Sequence, residues 1–306
     1  MAIRVENITK IYGEQRAVDS LSFEVPKGNI VGFLGPNGAG KSTTMKILTG
    51  FIPPTSGKAF IAGMNVEEKP LQTRLKTGYL PEHNPLYLDM YVREYLQFIA
   101  ELNGVRTPKK RVEEMIELTG LTLERKKKMG TLSKGFRQRV GIAQALIHNP
   151  DVLILDEPTS GFDPNQTAEI RKLIKTLGTE KTVLLSTHIM QEVEALCERV
   201  IIINRGKIIA DNPTHEIGKT WNPVHTIYVE FSAQIPQNSL QHPLFISCKP
   251  ESKSHSWRIT TNDPNNAKIE LNKIAAQHQA YILEQKEEQE TLEEIFQRLT
   301  QNVDTI

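Results

Sequence analysis

Long apolar runs are missing from this chain of 306 residues, and their absence excludes several protein classes. No stretch approaches the roughly 20 apolar residues that a membrane-spanning helix needs. The opening "MAIRVENITKIY" has no apolar signal core. The expectation is a cytoplasmic protein that needs another chain to work at a membrane. Cysteine is scarce: Cys197 and Cys248 exclude a disulfide scaffold and fit a reducing compartment. A net charge of +1 removes any bulk electrostatic case for nucleic acid or an acidic membrane surface. Internal repeats and low-complexity tracts are absent as well. His83, His148, His215, His225, His242, His255 and His278 lack metal-like spacing and read as surface residues. The run "ERKKKM" at 124–129 reads as a solvated loop. What remains is ordinary globular composition, 39% hydrophobic and 24% charged. The length leaves room for one large domain and a small one, or for two of moderate size.

The first half mixes strands and helices. "IRVENITKIY" and "LSFEV" alternate as half-buried strands do, with Leu21, Phe23 and Val25 on one face. "NIVGFL" is a short apolar run that leads into glycine-rich sequence and then a helix. The block at about 85–150 reads as mostly helical. One helix there carries Val92, Tyr95, Leu96, Ile99 and Leu102 on one face, and a second carries Val112, Met115 and Ile116. Buried-strand patterns return in "DVLILD", "TVLLST" and "RVIIIN". A helix at 165–177 separates the first two, with Ile170, Leu173, Ile174 and Leu177 inward. This alternation predicts a mainly parallel sheet covered by helices. "IIINRGKIIADN" reads as a hairpin turning at Arg205–Gly206. After about residue 218 the texture turns rich in Asn, Gln and Pro. Residues 219–306 read as a small α+β domain of two or three strands and two helices. One strand carries Ile227, Val229 and Phe231, and the last helix carries Leu292, Ile295, Phe296 and Leu299. Trp221 and Trp257 read as packing residues there.

Three stretches carry phosphate chemistry. "GPNGAGKST" comprises Gly35, Pro36, Asn37, Gly38, Ala39, Gly40, Lys41, Ser42 and Thr43, and fits G-x-x-x-x-G-K-[ST] between a strand and a helix. Its glycines let backbone N–H groups approach phosphate oxygens. Lys41 supplies charge for the β- and γ-phosphates, and Ser42 a hydroxyl for Mg²⁺. In "VLILDEP" four apolar residues deliver Asp156 to the end of a buried strand, where it can help hold Mg²⁺ through water. Glu157 follows as a second carboxylate, placed to polarise a water for attack on the γ-phosphate. A second anion-binding helix start appears in "TLSKGFRQRVGIAQAL", where Ser133 and Gly135 precede Phe136, Val140, Ala143 and Ile147 at helical spacing. One phosphate loop with two anion-binding helix starts amounts to half a site, twice.

Between about residues 3 and 215 the chain resembles the ATP-binding cassette (ABC) family. The resemblance rests on Tyr12, the phosphate loop, "GYLPE", "LSKGFRQ", "LILDEP", "SGFDP" and "STH", in that order. It implies an α/β P-loop NTPase fold over 1–218: a mainly parallel core sheet, an antiparallel β subdomain and a helical subdomain. ATP and Mg²⁺ are the implied cofactors. The implied assembly is a head-to-tail dimer with a second copy, or a similar cassette, in which Ser133 and Gly135 bind the γ-phosphate of the partner's ATP. The resemblance further implies that Tyr12 stacks on adenine, although a strand-edge aromatic would look the same in sequence. Glu82 is an implied metal ligand, His188 an implied γ-phosphate contact, and Asp163 tunes contact across the dimer. Two departures stand out. Glu82 occupies a position where the family has glutamine, and Lys134 and Phe136 replace a glycine and a glutamine of the family's signature.

Within the family the chain is most similar to cassettes of bacterial drug- and multidrug-type exporters, with gliding-motility ATPases in the same neighbourhood. The implied function is ATP hydrolysis powering export through a separate integral membrane permease, at the cytoplasmic face of the inner membrane, with no nucleic-acid partner. The alternative is a soluble cassette acting on ribosomes or DNA. Ribosome-acting cassettes carry two copies per chain, whereas this one has a single phosphate loop. DNA-repair types insert a long coiled coil for which 85–150 is too short.

Overall fold

The structure is a computed structural model that describes residues 1–216, 225–251 and 255–288, together with 296 and 300. The chain divides into two compact units, Met1–Thr214 and His215–Ile306.

In the first unit the fully apolar runs become the interior strands of one sheet. β3 (Ile30–Leu34), β7 (Val152–Asp156) and β8 (Thr182–Thr187) are buried at every position, as strands covered on both faces must be. With β6 (Thr77–Leu80), β9 (Arg199–Asn204) and β10 (Lys207–Pro213) they form a six-stranded sheet of order β10-β9-β3-β8-β7-β6. All pairs are parallel except β9–β10. That exception is the expected hairpin: Arg205 and Gly206 take φ of +49° and +78°, the left-handed pair of a two-residue turn.

The alternating strands β1 (Ile3–Tyr12) and β2 (Gln15–Val25) pair antiparallel with each other, and β1 also pairs with β4 (Ser56–Ile61). With β5 (Met64–Asn65) they make a four-stranded antiparallel sheet, β2-β1-β4-β5. The main core lies between the two sheets. Phe23 of β2 meets Phe33 of β3 with ring centroids 5.5 Å apart, and Met45, Ile47 and Leu48 of α1 (Lys41–Leu48) join the same cluster. α1 therefore starts beside the strand ends and is fixed by its apolar side.

The helical block consists of α3 (Val92–Leu102), α4 (Pro108–Leu118) and α5 (Lys134–Leu146), and follows the short α2 (Pro70–Lys76). The buried face of α3 is Val92, Tyr95, Leu96 and Ala100, with Ile99 half-buried. Leu102 was expected inward but is 71% exposed. At roughly 100° per residue it lies only about 20° round the helix from buried Tyr95, so its exposure follows from its place as the last residue of α3, at the open end of the packed face. α6 (Pro164–Gly178) buries Ile170, Ile174 and Leu177 and leaves Leu173 half-buried. α7 (Met190–Leu196) packs on β3, where a Cβ on Gly32 would stand 3.1 Å from Cys197 Sγ and 3.3 Å from Val193.

The second unit has four described strands where two or three were expected. β11 (His225–Phe231), β12 (Ser247–Pro250), β13 (Ser256–Thr261) and β14 (Ile282–Glu288) form an antiparallel sheet of order β12-β13-β11-β14. β12, "SCKP", has no apolar alternation. It is an edge strand recruited by its pairing with β13, and its proline is tolerated there. α8 (Pro264–Gln277) contributes Ala267, Leu271, Ile274 and Ala275 to a core with Ile227, Val229, Phe231, Trp257 and Ile259. Trp221 and all of the expected last helix except residues 296 and 300 lie outside the described residues.

Candidate active site

β3 ends at Leu34, and the chain turns through 35–40 into α1. Gly40 has φ +106°, and a Cβ there would stand 2.4 Å from the Ala17 carbonyl oxygen. Only glycine allows the loop to pass this close to β2. Gly35 donates its N–H to Thr187 O at 3.3 Å, and Ala39 donates to Pro36 O at 3.2 Å, which fixes the loop against the end of β8. α1 carries no acidic residue in its first turn. Its leading N–H groups have no acceptor within the helix and present the positive end of the dipole.

Lys41 is buried. Its Nζ donates to the carbonyl oxygens of Gly35 at 2.7 Å and Pro36 at 3.2 Å, and lies 3.4 Å from Glu157 Oε1. The other Glu157 oxygen is 2.9 Å from His188 Nδ1. Glu157 also has φ +49°, a left-handed backbone that a non-glycine residue holds only when its surroundings over-determine it. Part of that restraint is visible: its N–H is shared between Ser186 O at 3.1 Å and Ser186 Oγ at 3.2 Å.

Asp156 is 1% exposed. Burial pushes its carboxyl above the ordinary aspartate range, hydrogen bonds from the Ser186 and Ser42 hydroxyls pull it back, the Glu82 carboxylate pushes it up and Lys41 opposes. Tyr79 stands in the same field. Burial, with Asp156 and Glu82 nearby, pushes its phenol well above the ordinary value. The hydroxyl of Ser42 and the carboxylates of Asp156 and Glu82 form a hard oxygen donor set, so the residues fit Mg²⁺. The glycine cradle and the start of α1 fit a polyphosphate.

An open cleft of about 590 Å³ gathers Tyr12, Asn37, Gly38, Gly40, Lys41, Ser42 and Thr43 with Glu82, Glu157 and His188. That volume suits a small-molecule ligand. Tyr12 ends β1, and its half-exposed ring lines the cleft under Lys10 Nζ, 5.3 Å from the centroid. Gln15, Ala17 and Ser160 complete the lining; Gln15 and Ala17 have no local signal in sequence, and Ser160 opens the "SGFDP" motif. The most informative residue missed is Ser186, the first of the "STH" triplet, which bonds Asp156 and Glu157 at once.

Ser133, Gly135 and Asp163 do not line this cleft. Ser133 caps α5, its Oγ accepting from Phe136 N at 3.4 Å. Asp163 caps α6, accepting from Asn165 N and Gln166 N at 3.0 Å each. The two helix starts pack together: a Cβ on Gly135 would stand 2.6 Å from Gln166 Oε1 and 3.0 Å from Phe162. Lys134 lies against Gly161, where a Cβ would meet its Nζ at 2.2 Å. Among the described residues no His, Cys, Asp and Glu group could hold a metal by itself. His148 is not a surface residue as expected. It is half-buried with Nε2 3.1 Å from Thr77 O, and burial holds its imidazole below the ordinary value.

The family profile described as "ABC transporter" matches residues 18–160. Over 305 residues, 97% of this chain and 96% of the relative, the sequence is 35% identical to the bacitracin transport ATP-binding protein BcrA of Bacillus licheniformis. The chain belongs to the ABC transporter family. It is 37% identical over 218 residues to the Nod factor export ATP-binding protein I of Cupriavidus metallidurans, covering 70% of this chain and 72% of that one. A solved dimer of the ATP-binding cassette MJ0796, in a post-hydrolysis state bound to ADP and Pi, matches with a TM-score of 0.64 and 27% identity, over 69% of this chain and 98% of that one. This cassette is accordingly an ATPase with ATP and Mg²⁺ as its cofactors. Among its described residues no helix is long and apolar enough to cross a membrane.

Proposed function

We propose that this cassette hydrolyses ATP to power export through a separate integral membrane permease at the cytoplasmic face of the inner membrane, as a head-to-tail dimer with a second copy. The export direction draws on relatives named for bacitracin transport and Nod factor export. The observation that carries the mechanism is the strained Glu157, held between Lys41 and His188 at the cleft.

In this reading the 35–43 loop wraps the phosphates and Lys41 exchanges its carbonyl partners for β- and γ-oxygens. Ser42, Asp156 and Glu82 would hold Mg²⁺, which would supply positive charge to offset that of the phosphates. Glu157 orients the attacking water and accepts its proton, and His188 donates to the γ-phosphate. Tyr12 stacks on adenine. Ser133 and Gly135, which lie away from the cleft of their own chain, complete the cleft of the partner, with Asp163 setting the contact across the dimer. Tyr87, Leu88 and Tyr91, exposed just beyond Glu82, suit a docked membrane segment.

The test is Glu157→Gln. Turnover should fall at least about 100-fold, the scale of a lost general base, and Mg-ATP should trap a dimer by size-exclusion light scattering. Pull-down of that variant from solubilised membranes should bring a multi-span partner. Wild-type turnover would remove Glu157 from its role. Co-purification of ribosomal or DNA-associated proteins in place of a permease would sink the transport reading.

A further inference from the structure

Behind the cleft lies a carboxylate that the mechanism above does not use. Glu192, in the first turn of α7, is 1% exposed. A buried carboxyl group needs hydrogen bonds in place of its lost water. Each of its oxygens is met by a threonine hydroxyl: Thr159 Oγ1 donates to Oε1, and Thr187 Oγ1 donates to Oε2 at 2.7 Å.

The positions of these threonines matter. Thr159 sits two residues after Glu157, in the turn where Ser160 N donates to Glu157 O at 3.2 Å. Thr187 ends β8 and directly precedes His188. Its hydroxyl also accepts from Ile189 N at 3.0 Å, so the backbone is held on both sides of His188. One carboxylate thus ties the chain just after Glu157 to the chain just before His188, the two residues whose side chains meet at 2.9 Å.

We infer that Glu192 is a positioning residue for the Glu157–His188 pair, fixing the two loops so that these side chains stay in register during ATP hydrolysis. The inference rests on the catalytic reading of Glu157 and His188 given above. A neutral amide of the same size keeps the core filled, but its NH₂ forces one threonine hydroxyl to turn and accept, and the charge-assisted bonds that tether the loops weaken. Among the described residues Glu192 makes no hydrogen bond to the 35–43 loop, whose link to this cluster is Gly35 N to the Thr187 carbonyl, a main-chain bond that side-chain changes leave in place. The change therefore acts on turnover and spares ATP binding.

The experiment is steady-state ATPase kinetics of the full chain with Mg-ATP, with kcat expressed per ATP bound at saturation. Glu192→Gln should lower kcat about tenfold with KM within twofold. Thr187→Val, which removes one hydroxyl and leaves Glu192 in place, should reproduce that split, and Thr187→Ser should restore kcat to within twofold. This last comparison decides the matter if Glu192→Gln does not fold. Two results would overturn the inference: unchanged kcat in Glu192→Gln and Thr187→Val, or a loss that appears only as reduced ATP stoichiometry and thermal stability with kcat per bound ATP intact. Glu157→Gln, run in parallel, separates the two levels. If it too keeps wild-type turnover, the catalytic reading fails; if it alone is inactive, only the role of Glu192 falls.

Discussion

Replacing Ser186 by alanine removes one oxygen that serves two neighbours. Its hydroxyl donates to Asp156 Oδ1 and its lone pair accepts from Glu157 N. Ser186 and Asp156 are both shielded from water, so solvent cannot substitute. A hydrogen bond to a charged group contributes about 1.5–3 kcal/mol net. The second bond adds little, because Glu157 N keeps the Ser186 carbonyl at 3.1 Å. The expected cost is therefore about 2–3 kcal/mol. In urea that moves the unfolding midpoint down by roughly 1 M, at a slope of about 2–3 kcal/mol per molar. Far-UV circular dichroism is the suitable probe, because Trp221 and Trp257, the only tryptophans, both fall in the second unit. In the same variant the Mg²⁺ requirement of ATP hydrolysis should rise about 10- to 100-fold, as when other supporting groups of metal ligands are removed. A midpoint within about 0.2 M of wild type, roughly 0.5 kcal/mol, together with an unchanged Mg²⁺ requirement would show that Ser186 does not support Asp156.

Gly40→Ala forces a Cβ to within 2.4 Å of Ala17 O at φ +106°, and should cost about 1–3 kcal/mol and abolish ATP binding, read by thermal shift with and without Mg-ATP. In the second unit a hydrogen bond from Lys268 at 2.7 Å, opposed by burial and helped by His225, holds the Glu287 carboxyl below the ordinary glutamate range. Its folded pKa is depressed, so the stability it contributes is present above about pH 4.3, the unfolded value, and is lost as pH falls through the folded one. Glu287→Gln should therefore lower stability by less than about 1 kcal/mol at pH 7, with the difference vanishing below the folded pKa, as followed by tryptophan emission in urea.

Much of the cassette could be read from contiguous residues because its chemistry is local. A phosphate loop needs glycines, a lysine and a hydroxyl at fixed spacing between a strand and a helix, and 35–43 supplies all of them in one stretch. The same holds for Asp156 and Glu157, delivered by a strand whose apolar run marks it as interior. The turn at Arg205–Gly206 followed from two residues alone. Where the reading went astray, the local signal was weak or pointed the wrong way. β12 has no alternation and exists because β13 offers it an edge. Leu102 shares the helical face of Tyr95 but is the last residue of α3, where the packing has run out. His148 is half-buried through contact with β6, seventy-one positions away in sequence.

The sequence by itself determined the nucleotide chemistry, since strand, loop and helix are encoded within a few tens of residues. It also implied that one chain holds only half a site, because Ser133 and Gly135 open a second helix far from the phosphate loop. Only the tertiary structure decided what holds the Glu157 carboxylate in place. Glu157 meets Lys41, Ser186 and His188, and Glu192 meets Thr159 and Thr187, through bonds that join β7, β8, α1 and α7. Such bonds depend on which strands lie side by side in the sheet, and strand order is set by packing between segments that sequence periodicity treats one at a time.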